Sequence, residues 1–378
     1  MLAVLISLMA GFLRLNMALN GPVEYDEPVY FRAAIYYAGD ILNHDWSALI
    51  HSDYNSEHPP LFKLIDGLVL SQTTHLTEYT PIPRSQTIHG LPDYLSVRDL
   101  RLVSAFFGSL AVFFLSLVNP WAGLFLAIDT FAVKYTGIIY LEAIPLCCAI
   151  LCVETFSKFM EKRKWIWLVL SALACGFILA SKYVYIITAI AVLIFFLYDT
   201  FSQSLKAKTN QFVSGLVAIA AWGLLSLFFF FLLDPYLWNN PVSNLQHSIL
   251  FNTGYASQDN PELIKYGYSF WQSLVWLTQS IPHTHYAAPP FYLLPGDFLI
   301  AVDEILLPLA FLGLWLMWKN KPIYIFWLFS GLIFLLIWAT KWPQYILIIL
   351  PPYCLAAAYG LKTLFQWIKC LPFFRKKI

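Results

Sequence analysis

The sequence predicts an all-α integral membrane protein that crosses the bilayer many times. Three observations carry this. Of 378 residues 59% are hydrophobic and only 12% charged, about half the charge of an ordinary soluble domain. The apolar residues fall in long runs, and a spanning helix needs about 20 of them. Aromatic residues make up 18% of the chain, with 14 Trp and 22 Tyr, and such rings favour the membrane–water interface, where an apolar body meets a polar tip.

The runs, in order, predict about ten spans: 2–19, 102–118, 120–139, 142–158, 165–181, 183–198, 211–232, 299–318, 322–340 and 344–363. The first run lacks a basic leader, and Asn20-Gly21-Pro22 makes a poor cleavage site, so it reads as a span and not as a signal peptide. Two segments, 20–100 and 233–298, are long and polar. The whole chain reads as one transmembrane domain carrying these two loops.

Orientation follows from lysine and arginine in the short connections. Lys158, Lys162, Arg163 and Lys164 follow the fourth run, Lys206 and Lys208 the sixth, Lys319 and Lys321 the eighth, and Lys369, Arg375, Lys376 and Lys377 the tenth. With ten spans all four clusters share one side, the cytoplasm, together with both termini. Both long loops then face the non-cytoplasmic side.

Composition also excludes several classes. A net charge of +1 supplies no basic face for nucleic acid. The six cysteines, Cys147, Cys148, Cys152, Cys175, Cys354 and Cys370, lie in or near apolar runs and form neither a disulfide framework nor a CxxC metal site. No Gly-rich phosphate loop, HExxH, GxSxG or Asp-x-Asp occurs. No internal repeat supports an inverted-repeat transporter.

The candidate chemistry sits in the loops and at span ends. Glu24-Tyr25-Asp26-Glu27-Pro28 follows the first run. Acids there suit the start of an interfacial helix with proline in its first turn; equally, a partly buried carboxylate makes a better proton acceptor. Glu57-His58-Pro59-Pro60-Leu61-Phe62-Lys63 reads as a loop-to-helix junction or as a ligand pair. Glu142 and Lys182 stand at span ends, where an ionisable residue defaults to a functional reading and competes with an interhelical ion pair or a snorkelling lysine. Lys341 stands beside Trp342 as phosphate contact or interfacial anchor.

An Asp-Glu pair after a first span, then His-Pro-Pro-Leu, resembles the protein O-mannosyltransferases of glycosyltransferase family 39, and also the bacterial aminoarabinose lipid A transferases, both of the GT-C class. The pattern continues in order through Arg101-Leu102-Val103-Ser104-Ala105-Phe106-Phe107-Gly108, Tyr140-Leu141-Glu142-Ala143-Ile144-Pro145, Lys182-Tyr183, Asp234-Pro235-Tyr236-Leu237-Trp238-Asn239-Asn240-Pro241 and Lys341-Trp342-Pro343-Gln344-Tyr345. The acid at 142 is Glu where many relatives carry Asp, and no soluble C-terminal domain follows.

The resemblance implies a GT-C type helical bundle with two large non-cytoplasmic loops. It implies transfer of a mannose-like sugar from a polyprenyl-phosphate donor to a hydroxyl of a protein, lipid or glycan acceptor, with inversion, at the non-cytoplasmic face of a multi-pass membrane protein (the plasma membrane in a prokaryote). Asp26 is the base it assigns. Glu27, Glu57 and His58 shape the pocket, and Arg101, Lys182 and Lys341 are candidate contacts to the departing phosphate, with Arg98 competing with Arg101. Glu142 is a second carboxylate or a positioning residue, and Tyr345 belongs to the Lys-x-x-x-Tyr block. No cofactor is required; a divalent metal shared by Glu57 and His285 is the one addition the aminoarabinose-type pattern suggests. The competing expectation is a transporter or flippase, or an inactive protein of the same fold.

Overall fold

The computed structural model describes residues 1–52, 54–73, 94–204, 210–255, 268–280 and 302–370. Every regular element among them is helical. Helix α1 (Leu2–Asn20) leads to α2 (Glu27–Leu42), α3 (Trp46–Ile50) and α4 (Leu61–Gln72), which lie in the first predicted loop. Then come α5 (Tyr94–Val118), α6 (Pro120–Ile128), α7 (Thr130–Tyr135), α8 (Ala143–Lys162), α9 (Trp165–Ser181), α10 (Ile186–Ser204) and α11 (Asn210–Leu233). The second predicted loop holds α12 (Tyr236–Asn239), α13 (Pro241–Tyr255) and α14 (Gln272–Trp276). The chain ends with α15 (Val302–Asn320), α16 (Pro322–Ile337) and α17 (Leu350–Cys370).

Five segments among the described residues are long and apolar enough to cross a membrane: Leu2–Asn20, Ser96–Val118, Ala143–Lys162, Tyr183–Ser202 and Val213–Leu233. Trp165–Ser181 and Pro322–Ile337 are apolar but shorter. Helix α11 turns Val213, Val217, Leu224, Leu227, Phe228 and Leu232 outward, an apolar face that only lipid covers without cost. The protein is an integral membrane protein with an all-helical fold. The helices in the other predicted runs are shorter, broken or more polar, so length and hydropathy do not by themselves reach the expected ten.

The run 120–139 differs most from expectation. It is broken at Asp129, whose side chain accepts from the Ala132 N–H at 2.8 Å and starts α7. A break inside lipid frees carbonyls that need partners. Arg14 of α1, fully buried, supplies them: its guanidinium donates to the carbonyls of Leu126 at 3.4 Å and Ala127 at 3.3 Å, and to Thr136 Oγ1 at 2.7 Å. Gly108 of α5 makes room for this group, because a Cβ there would meet Thr136 Oγ1 at 2.4 Å and Arg14 Nε at 2.7 Å. Packing therefore accounts for the glycine of the Phe-Phe-Gly motif.

Helices α15 and α17 touch backbone to backbone. A Cβ on Gly313 would meet the Ala356 carbonyl at 1.9 Å, and one on Gly360 the Leu309 carbonyl at 1.8 Å; small residues permit such approach within membranes. The two polar segments also meet. Ser248 Oγ donates to the Ser56 carbonyl at 2.6 Å, and Asn239 Nδ2 lies 3.0 Å from His51 Nε2. These contacts join α12 to the end of α3, and α13 to the turn before α4.

Candidate active site

Asp26 precedes α2 and accepts from Tyr140 Oη at 2.9 Å. Burial, followed by the Asp26 charge, pushes the Tyr140 phenol well up, so Tyr140 keeps its proton and donates it. Pro28 sits in the first turn of α2 and fixes that start. Tyr30, one turn on, packs edge-to-face on Tyr140 (5.5 Å), Phe62 (5.4 Å) and His58 (5.9 Å). The charges of Asp26, Glu142 and Glu57 all act on Tyr30. That aromatic residue therefore marks the centre around which the motif carboxylates collect.

Glu142 precedes α8 and is fully buried. One oxygen pairs with Lys182 Nζ. The other, Oε2, has no hydrogen-bond partner. Burial raises the Glu142 pKa, and Lys182 partly opposes the rise. The Lys182 ammonium stands 5.1 Å from the centre of the Tyr345 ring, a cation–π contact. Glu142, Lys182 and Tyr345, from three distant parts of the chain, form one unit, and the Asp26 charge acts on Glu142.

The His-Pro-Pro turn comes next. Asn55 has φ 56°, a left-handed conformation that Asn tolerates better than most residues. The turn closes as the His58 N–H donates to the Asn55 carbonyl at 3.2 Å. Asn55 Nδ2 holds Glu57 Oε1 at 2.8 Å. Burial, then Lys182, then Lys63 push the His58 pKa well down, which makes it a neutral imidazole between two ammonium groups.

Three expected site residues have structural work instead. Arg101 places all five N–H donors within the protein: Nε and one Nη2 hydrogen on Glu27 at 2.8 and 2.6 Å, and the rest on the carbonyls of Ala18 (3.3 Å), Gly21 (2.9 Å) and Pro22 (2.9 Å). A guanidinium so engaged has none left for a phosphate. Glu27, also expected in the pocket, is fully buried; besides Arg101 it accepts from the N–H of Ile139 and of Glu24, each at 2.9 Å. The pair clamps the α1–α2 connection to α5. Arg98, the competing candidate, is partly exposed beside Asp99 at 3.8 Å. Lys341 donates to the carbonyls of Leu335 at 2.6 Å, Leu336 at 3.2 Å and Trp338. Those are last-turn carbonyls with no partner inside α16, so Lys341 caps that helix.

Two residues of the site carry no expected role. Lys63 of α4 is buried and donates to the Asn55 carbonyl at 2.6 Å. Burial lowers its pKa to about 8, with Glu57 and Asp234 opposing. Asp234 follows α11, is fully buried, and has no hydrogen-bond partner for either oxygen. Burial raises its pKa to about 7, with Lys63 opposing most. Both stand inside quoted motifs. A lysine three residues after a double proline, and an aspartate just before a proline at a span end, were the available signals.

His285 lies outside the described residues. Among those described, no three His, Cys, Asp or Glu side chains converge as a metal site, and Glu57 is held by Asn55.

Residues 101–227 match the dolichyl-phosphate-mannose-protein mannosyltransferase family. No curated protein sequence matches the chain. The fold matches ArnT from Cupriavidus metallidurans in the apo state with a TM-score of 0.58 at 15% identity, over 97% of this chain and 60% of that one. It matches the same protein bound to undecaprenyl phosphate with a TM-score of 0.56 at 15% identity, over 96% and 59%. The chain thus spans about three fifths of that protein's length. Its helical bundle is of the GT-C type, the class in which the sequence resemblance placed it.

Proposed function

We propose that the chain is a membrane glycosyltransferase that moves a mannose-like sugar from a polyprenyl-phosphate donor to an acceptor hydroxyl at the non-cytoplasmic face. One observation carries this reading. Asp26 held by Tyr140, and Glu142 paired with Lys182 against Tyr345, lie close enough for their charges to act on one another. The protein whose fold this chain shares was solved with undecaprenyl phosphate, which supports a polyprenyl-linked donor here.

The chemistry is a single displacement. The acceptor oxygen attacks the anomeric carbon, its proton passes to Asp26, and the bond from that carbon to the phosphate oxygen breaks on the opposite face. The configuration inverts, and polyprenyl phosphate leaves with the bonding electrons. Cations fixed before the reaction stabilise that charge most effectively. Lys182 and Lys63 are buried cations next to the pocket that retain N–H donors; Arg101 and Lys341 are fully engaged. The Glu142 charge keeps Lys182 in place, and neutral His58 can take a hydrogen bond between the two ammonium groups.

The test is sugar transfer from a panel of labelled polyprenyl-phosphate sugars in detergent, with short peptides, a lipid and a glycoside as acceptors. Turnover with one such donor is expected. Donor transport across vesicles without cleavage would instead identify a flippase.

A further inference from the structure

Asp234 stands out among the buried polar groups. Its carboxylate is fully buried and neither oxygen has a hydrogen-bond partner; the nearby N–H groups of Tyr236 and Leu237 do not reach bonding geometry. The Asp234 charge acts on Tyr183, whose buried hydroxyl makes no hydrogen bond of good geometry, though the Ser248 side chain also acts on it. It acts as well on Lys63, which donates to the Asn55 carbonyl and, at 3.5 Å, to that of Tyr54. Tyr183 directly follows Lys182, the residue that holds Glu142. Phe230 packs edge-to-face on Tyr183 at 6.3 Å. Asp234, just after α11, therefore interacts with polar groups from α4 and from the turn before α10.

An unpartnered buried carboxylate is costly. A site that keeps one is shaped for a ligand that brings the missing donors. The charges decide which ligand. Asp234 repels a phosphate. Lys63 repels a metal cation or an ammonium group, and no third ligand for a metal is at hand among the described residues. A neutral group with two adjacent O–H donors fits: one to each carboxylate oxygen, with a ligand oxygen left to accept from the Tyr183 hydroxyl.

We infer that Asp234 and Tyr183 form a sugar-hydroxyl subsite that binds a vicinal diol of a pyranose. This rests on the transferase reading above. The diol belongs to the donor sugar or to a glycan acceptor, and the site's chemistry is the same for both. Asp234 is a specificity residue here, and takes no proton from the reacting hydroxyl.

The experiment measures binding to the purified full chain in detergent. The ligands are polyprenyl phosphate, the polyprenyl-phosphate sugar that supports turnover, and deoxy versions of that sugar. The proteins are wild type, Asp234→Asn and Tyr183→Phe. Asp234→Asn should weaken the sugar-bearing donor by about tenfold to a hundredfold, as loss of hydrogen bonds to a charged group does. Polyprenyl phosphate binding should change by less than about twofold on the same scale, which also shows that the variant folds. Deoxygenation at one sugar position should cost wild type this factor and the variant little. If the loss appears only in the KM of a glycoside acceptor, the diol is the acceptor's, and the subsite stands. Equal weakening of donor and polyprenyl phosphate, or no weakening of any sugar ligand, overturns it. Wild type that binds no polyprenyl phosphate at all overturns the transferase reading itself, a result distinct from either.

Discussion

Two buried carboxylate–cation pairs stand at the same end of the bundle, and they differ in one respect. Glu27 and Arg101 use their full bonding capacity: all five guanidinium N–H groups are engaged and Glu27 accepts four bonds. Glu142 and Lys182 are left incomplete, with Glu142 Oε2 unpartnered and the ammonium paired with one carboxylate oxygen beside the Tyr345 ring and His58. A buried pair that is complete holds the fold; a buried pair with unused capacity holds room for a ligand. Asp234 and Lys63 fall on the incomplete side, Arg14 and Lys341 on the complete one.

The comparison breaks first at Arg101. Removing one partner of a buried pair leaves an uncompensated charge and costs about 3–5 kcal/mol. Arg101→Ala should therefore lose most folded protein, measured as monodisperse yield in detergent, and Glu27→Gln should do less damage. Folded Arg101→Ala protein with only its donor binding impaired would return Arg101 to the phosphate.

Lys182→Ala should separate the two kinds of pair. Turnover should fall about a hundredfold to a thousandfold, as when one preorganised electrostatic contact is lost, and folded yield should fall less than for Arg101→Ala, because the buried Glu142, already raised in pKa, can take up a proton once its cation is gone. Combined with Glu142→Gln the stability cost should shrink, because the orphaned charge is gone. Lys341→Met should cost only about 1 kcal/mol of thermal stability, the scale of one helix-end contact, and leave donor affinity unchanged.

Asp234 should also give stability a pH dependence. The folded pKa of Asp234, about 7, lies above its ordinary value of 3.8. The folded state thus keeps a proton that the unfolded chain releases across that window, and stability falls as pH rises from about 4 to 7. Asp234→Asn removes the term. Its thermal midpoint should exceed that of wild type by more at pH 8 than at pH 5, a difference on the order of 3 kcal/mol from the two pH units between 5 and the folded pKa. The same shift at both pH values would mean that the carboxylate is not what burial perturbs.

Much of this was legible in the chain. The Asp26-Glu27 pair, His-Pro-Pro, Glu142, Lys182 and Tyr345 stand in the order of a known pattern, and all but Glu27 lie around Tyr30 or the Glu142–Lys182 pair. What could not be read was saturation. Whether Arg101 or Lys341 has spare donors depends on where the carbonyls of Ala18, Gly21, Leu335 and Trp338 end up, and that is settled by helix ends and packing. The break at Asp129 did leave a trace: Arg14 and Asp129 are opposite charges inside two apolar runs, an expensive placement unless they serve the same spot. Asp234 looked like a turn residue before proline, and only its lack of partners gives it another meaning.

The most direct measurement compares wild type with Asp26→Asn on the labelled polyprenyl-phosphate sugar that wild type turns over, following sugar transfer and donor binding in the same preparation. Transfer lost by more than about a thousandfold with donor affinity kept within about twofold is the predicted result, since a general base contributes on that scale and binds no donor. Transfer that survives within a few fold would contradict the account, and place the base elsewhere among the carboxylates of this pocket.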